Sequence, residues 1–339
     1  MGKYGFQRDR KTDDISHTPR RCEASQGWRF DIALLCRNLF WGCDVQACMK
    51  SKPQRRPVIE RVAALAMRLG SRHLADYGAA RSRHDFTQRQ LMACLILRAY
   101  LKATYRGVLE FLSVSPSLRQ ELGMQDKLPH YTTLQKFSAR SKVLEIADAM
   151  IQTIGQAAGL TTFGQGAAAM DATGLETTTA SAHFQCRRGG QRRKWVKIST
   201  VVLCSSLLPL GLVLDWGPNN DKCQAKALIT KASQATLPAK LYADAGYDAE
   251  WIHDQCRLEW GVESVIKPAV HRADGQRSGF WRSGMTEKYL KRKGYGGRWA
   301  AESFFSGLKR TMGSMLTSRK PSQLLAEAAF RVLAYTLRR

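Results

Sequence analysis

Residues 167–174 read AAAMDATG and residues 241–247 read LYADAGY. In each, a short apolar run carries the chain into an aspartate, Asp171 in the first and Asp244 in the second, and a glycine follows within three residues. Short apolar runs bounded by turn residues are the pattern of buried strands. An acid at the strand end leaves the core where the nearby glycine lets a ligand approach the backbone.

Around these two strands the chain alternates between periods. Residues 195–204 and 208–216 are apolar and β-branched, and only 205–207 separate them, which predicts a hairpin. Helical spacing follows at 222–234, a strand at 241–244, a helix at 249–260, a strand at 262–267 and a long helix at 295–312. The order β-β-β-α-β-α-β-α places an antiparallel hairpin beside a parallel pair. That is an α/β fold with a ribonuclease-H-like mixed sheet flanked by helices.

Groups at the carboxyl ends of strands in such a sheet converge on one edge. Asp171 and Asp244 would meet there, and Glu302, one to two turns into the final predicted helix, would join them. Each acid alone also suits a turn, a helix cap or a solvated face. Gathered together, three carboxylates repel one another unless a cation sits among them. Mg²⁺ suits such a set, because it binds one or two carboxylates and completes its shell with water and phosphate oxygens.

The helix at 295–312 carries a further spacing, Tyr295-x₂-Arg298-x₃-Glu302-x₆-Lys309, which puts four side chains on one helical face. Beside Glu302, a guanidinium and an ammonium would hold phosphates, bidentately and as a point charge. Two basic stretches add to this. Arg187, Arg188, Arg192, Arg193 and Lys194 lead into Trp195 and Lys197 between the first two strands. From Arg282 to Arg298 the chain holds Lys288, Lys291, Arg292 and Lys293 interleaved with Tyr289 and Tyr295, just after Trp281. Cations with aromatics fit a nucleic-acid channel. His183 reads as structural.

Upstream, helices are predicted at 87–102 and 105–111, at 118–122 between Pro116 and Gly123, and at 132–142. Short basic helices with tight turns predict a small all-α, helix-turn-helix-like domain over 57–160, for DNA binding or dimerisation. The catalytic domain would run over 161–339, and residues 1–56 form a poorly patterned basic extension.

Composition agrees with a polyanion-binding protein. Of 339 residues, 53 are Lys or Arg and 28 Asp or Glu, a net charge of +25. With 44% hydrophobic residues the chain is too apolar for a disordered basic tail. Nine cysteines, an odd number without a Cys-x-x-Cys pair, argue against a disulfide framework and a zinc ribbon. The run 201–214 is broken by Ser205, Ser206, Pro209 and Gly211, so no membrane span is expected. No apolar signal core follows the basic N-terminus, which points to the cytoplasm.

Taken together, Asp-Ala-Thr-Gly at 171–174, Asn220-Asp221, Ala-Asp-Ala-Gly-Tyr at 243–247 and the Tyr295-to-Lys309 signature resemble the DDE transposases of bacterial insertion sequences, in the group with a Tyr-Arg-Glu-Lys signature. The resemblance covers about residues 85–339. It implies Asp171, Asp244 and Glu302 as catalytic ligands of two Mg²⁺ or Mn²⁺ ions, with Tyr295, Arg298 and Lys309 on phosphates near the element's end. It also implies cleavage at element ends, strand transfer into target DNA, and a homodimer on DNA. Only 58 positions separate Asp244 from Glu302, which leaves no room for the β-rich insertion of some relatives. The alternatives are a nuclease of the same fold without strand transfer and a DNA-binding repressor without catalysis.

Overall fold

The computed structural model describes residues 56–177, 195–269 and 277–339, except 80, 82, 141 and 162. Predictions on residues 1–55, on His183 and on Arg187, Arg188, Arg192, Arg193 and Lys194 lie outside the described residues.

The sheet forms where the apolar runs predict it. Strands β1 (Ala167–Leu175), β2 (Trp195–Leu203) and β3 (Pro209–Gly217) pair antiparallel, and β4 (Lys240–Ala243) and β5 (Glu263–Ile266) extend the sheet in parallel. The order is β3-β2-β1-β4-β5. Side chains alternate across the pleat. Ala168 and Met170 pack with Leu228 and Ile229 of the crossover helix Lys222–Ala235, whereas Ala169 and Val202 belong to the core with Phe304 and Leu308. Both faces are covered, and the chain has the expected ribonuclease-H-like mixed sheet flanked by helices.

Before the sheet come α1 (Val58–His73), α2 (Gln88–Tyr100), α3 (Tyr105–Ser113), α4 (Pro116–Glu121), α5 (Tyr131–Ser138) and α6 (Lys142–Gly159). A capping box starts α2: Thr87 Oγ1 accepts from the Gln90 amide, and Gln90 Oε1 accepts from the Thr87 amide at 2.8 Å. The crossover helix Lys222–Ala235 is α7. After it, α8 (Glu250–Asp254), α9 (Phe280–Ser283), α10 (Glu287–Arg292), α11 (Trp299–Met312) and α12 (Pro321–Arg338) complete the chain.

Several predicted helices need correction. The helix expected at 132–142 stops at Ser138, and α6 begins separately at Lys142. The one expected at 249–260 is the short α8 running into a π turn over Gln255–Glu259. Helices α1, α6 and α12 have no counterpart among the predicted segments. Helix α12 is buried from Leu324 to Leu337 except at Leu325, and a helix covered on all sides offers no amphipathic stripe to read.

One apolar cluster runs from Val62 of α1 to Leu337 of α12 and includes Ala169, Val202 and Tyr242 of the sheet. The helical segment and the sheet therefore share buried surface. Within it, the Glu327 carboxylate accepts from the amides of Thr317 (3.1 Å) and Ser318 (2.8 Å) and from Arg331 (2.8 Å). Arg331 donates in turn to the Gly313 and Met315 carbonyls at 3.0 and 2.6 Å. Burial opposes ionisation of Glu327, but the Ser318 hydrogen bond and the Arg331 charge outweigh it and hold the carboxyl below its usual range. The pair fastens the turn that follows α11.

At the other edge, His253 of α8 is fully buried, with Nδ1 2.7 Å from Ser264 Oγ and Nε2 without a partner. Burial, aided by the charges of Arg257 and Arg282 and opposed by Glu250 and Asp248, pushes its pKa down to about 4. An unfolded histidine titrates near 6.5. Between those values the unfolded chain takes up a proton that the folded chain refuses, so stability falls as pH drops through this window. The expected cost is about 2 kcal/mol by pH 5. Thermal midpoints at pH 7.5 and 5 should fall further apart for the native chain than for His253→Asn; equal differences would refute the assignment.

Candidate active site

Strand register brings the two aspartates together. Met170 of β1 and Ala243 of β4 are the last matched pair of a parallel ladder, so Asp171 and Asp244 follow at the same level. Asp244 lies just past β4, but Asp171 stands in the middle of β1 rather than at the predicted strand end, because the antiparallel ladder to β2 continues to Leu175. By the alternation of the pleat, Asp171 follows Ala169 and Asp244 follows Tyr242 onto the face that α11 covers. Asp171 Oδ1 accepts from the Ala172 amide at 2.8 Å. Asp244 caps the 3₁₀ turn Ala245–Tyr247 and accepts from the Gly246 amide at 2.9 Å.

Glu302 stands in the first turn of α11, its side chain 56% exposed. Arg298 links it to the sheet: its guanidinium pairs with Glu302 and has Nη1 3.7 Å from Asp171 Oδ2. Burial, then repulsion from Asp244 and Glu302, pushes the Asp171 pKa up to about 6 against the pull of the Ala172 amide and Arg298. Burial and Asp221 likewise raise Asp244, against the Gly246 amide and Arg298.

The signature residues do not lie along a single helix. Tyr295–Arg298 forms a 3₁₀ turn, and α11 starts only at Trp299. Glu302 is thus in the first turn of its helix, and α12 follows, so that helix is not the last. The reason is local. Gly294 has φ +75°, and Gly297 packs so closely on Tyr242 that a Cβ there would stand 2.7 Å from its ring. In a 3₁₀ turn, positions three apart eclipse, which sets Tyr295 and Arg298 one above the other. The Tyr295 hydroxyl donates to the Ala243 carbonyl at 3.2 Å, tying the turn to the end of β4. Lys309, two turns beyond Glu302, is half-buried and makes no ion pair among the described residues.

The basic stretch 282–298 is less available than its sequence suggests. Arg282 forks onto Asp248 with two contacts of 2.7 Å, Lys293 pairs with Glu263 at 2.6 Å, and Tyr289 donates to Glu263 at 2.6 Å. Trp281 Nε1 donates to Asp254 at 2.9 Å. These groups clip α9 and α10 to the sheet edge, and Lys288, Lys291 and Arg292 remain exposed.

Sequence reasoning gave no role to Asp221, whose carboxylate neighbours Asp244, or to the buried Tyr247, whose phenol pKa is pushed up by burial and by the charges of Asp221, Asp171 and Asp244. The signals were present as Asn220-Asp221 and as the last letter of Ala-Asp-Ala-Gly-Tyr.

Among the described residues, no three His, Cys, Asp or Glu side chains are gathered closely enough to hold an ion as they stand. The donor chemistry nevertheless fits a hard divalent cation, because all the acids present oxygen. Two of them are desolvated against each other, a cost that a cation relieves. Arg298 supplies the positive charge at this point.

Comparisons with curated proteins and with solved structures each gave no match. Among the described residues, no helix is long and apolar enough to cross a membrane. A comparison with protein families matches residues 162–337, more than half of the chain, to the family described as Transposase DDE domain. The matched span starts just before β1 and takes in Asp171, Asp244, the 3₁₀ turn and α11, so the chain belongs to the DDE transposase family and has DNA as its partner.

Proposed function

We propose that this transposase cleaves DNA at the ends of an insertion sequence and joins the freed 3′-OH to target DNA, with Asp171, Asp244 and Glu302 as its catalytic carboxylates. The observation that carries the reading is the level placement of Asp171 and Asp244 on adjacent strands, with Arg298 bridging to Glu302. The carboxylates would hold two Mg²⁺ or Mn²⁺ ions. Such ions activate the attacking oxygen and stabilise the leaving one in an in-line phosphoryl transfer.

Arg298 keeps its guanidinium beside Asp171 and Glu302, where an incoming phosphate would offer it a bidentate partner. Lys309 is a point charge for the backbone farther along α11, and Tyr295 holds the turn that aims Arg298. Arg187, Arg188, Arg192, Arg193 and Lys194 lie in sequence between β1 and β2 and are assigned to phosphate contacts. Helices of 57–160 are assigned to DNA binding or dimerisation. Two element ends require two sites, so a homodimer on DNA in the cytoplasm belongs to this reading.

The test is incubation of the full chain with labelled DNA from the flanks of its own gene, with Mg²⁺ or with EDTA. Metal-dependent nicking at the ends together with joined products is expected. Nicking without joining would favour a nuclease, and binding without nicking a repressor.

A further inference from the structure

Beside the two aspartates lies a polar cluster that the function above leaves unused. Asp221 precedes α7, and its Oδ1 is 2.5 Å from Nζ of Lys197, whose side chain is 7% exposed. Lys197 is itself held by the Asn219 carbonyl at 2.7 Å. That leaves Asp221 Oδ2 facing Asp244. At Gly246, which lies between them, a Cβ would stand 2.7 Å from Asp221 Oδ2 and 3.0 Å from Asp244 Oδ1. A larger residue would crowd both oxygens and displace the Asp221 carboxylate, so the glycine leaves this space to the two acids.

A second observation points the same way. Tyr247 is fully buried, and its hydroxyl makes no hydrogen bond of good geometry. Burial and then the charges of Asp221, Asp171 and Asp244 push its pKa up. Its polar neighbour Ser199 spends its own proton on Gln224. A buried phenol without a good partner is costly, and the charges of Asp221, Asp171 and Asp244 act on this one.

We infer that Asp221 is a fourth carboxylate of the ion site, pinned through Oδ1 by Lys197 and turned through Oδ2 toward Asp244, with the Tyr247 hydroxyl as a hydrogen-bond donor to the cluster. The inference rests on the metal-dependent function proposed above. Tyr247 is then a positioning residue, of the kind that orients ligands from behind.

Mn²⁺ titration of the full chain without DNA, read from the electron paramagnetic resonance signal of the free ion, tests it. Asp221→Asn and Tyr247→Phe should each weaken Mn²⁺ binding by about tenfold or more. In EDTA, Tyr247→Phe should melt at or above the native temperature, because it removes an unpaired hydroxyl and keeps the ring. This variant keeps the test decisive even if Asp221→Asn folds poorly. Native Mn²⁺ affinity in both variants, with affinity lost in Asp244→Asn, would overturn the inference and leave the metal site standing. Native affinity in all three, Asp244→Asn included, would overturn both.

Discussion

Asp171→Ala, Asp244→Ala and Glu302→Ala are each expected to lower DNA cleavage by about 10³-fold or more while DNA affinity stays within a few-fold of native. Removing a ligand from a metal site forfeits several kcal/mol of transition-state stabilisation, and each 1.36 kcal/mol is tenfold in rate. Binding runs on a different account. It comes from Lys and Arg neutralising phosphates and releasing counterions, and losing a carboxylate makes a chain of net charge +25 more positive still. Asp171→Ala has a further consequence, because it removes one of the two partners of Arg298. Nicking assays and mobility shifts on the same preparations separate the two effects. A variant that nicks at near-native rate removes its residue from the site.

The second large effect concerns stability. Glu327→Ala should cost about 3–5 kcal/mol, the range for breaking one side of a buried ion pair, because it strands Arg331 and the amides of Thr317 and Ser318. For a chain of this size that corresponds to a fall in melting temperature of about 4–7 °C. Replacing both partners, Glu327→Leu with Arg331→Met, should cost markedly less, since no charge is left unpaired. If the double variant is as unstable as the single one, the stabilisation lies in the backbone contacts to Gly313 and Met315 and not in the ion pair. Thermal melts of the three proteins decide between these outcomes.

The strands were legible because their apolar runs are short and bounded by turns, and the hairpin, the parallel pair and the convergence of Asp171 with Asp244 follow from that alone. Glu302 was legible from its spacing to Arg298, although the turn that carries Arg298 was not. Helical periodicity does not distinguish a 3₁₀ turn from the start of an α-helix, and the contact of Gly297 with Tyr242 lies 55 positions away in sequence. Helix α12 was missed because burial on every side erases the polar stripe on which the reading depends. The cations at 282 and 293 misled for a related reason: composition counts a charge without showing whether Asp248 or Glu263 has already taken it. Asp221 stood in a motif but received no role, because its meaning comes from Lys197 and Gly246, which neighbour it only after folding.

The shared core also governs when the enzyme can exist during its own synthesis. Asp171, Asp244 and Glu302 have all left the ribosome before α12, yet α12 is what covers the apolar faces of α1, α2 and α6. Contacts this distant in sequence close late. A chain still being translated therefore carries every acid of the site on an unfinished scaffold. A stop codon between Glu302 and the last two turns of α12 would release a product bearing the complete acidic signature and exposed helices, a substrate for proteases rather than a cutter of DNA.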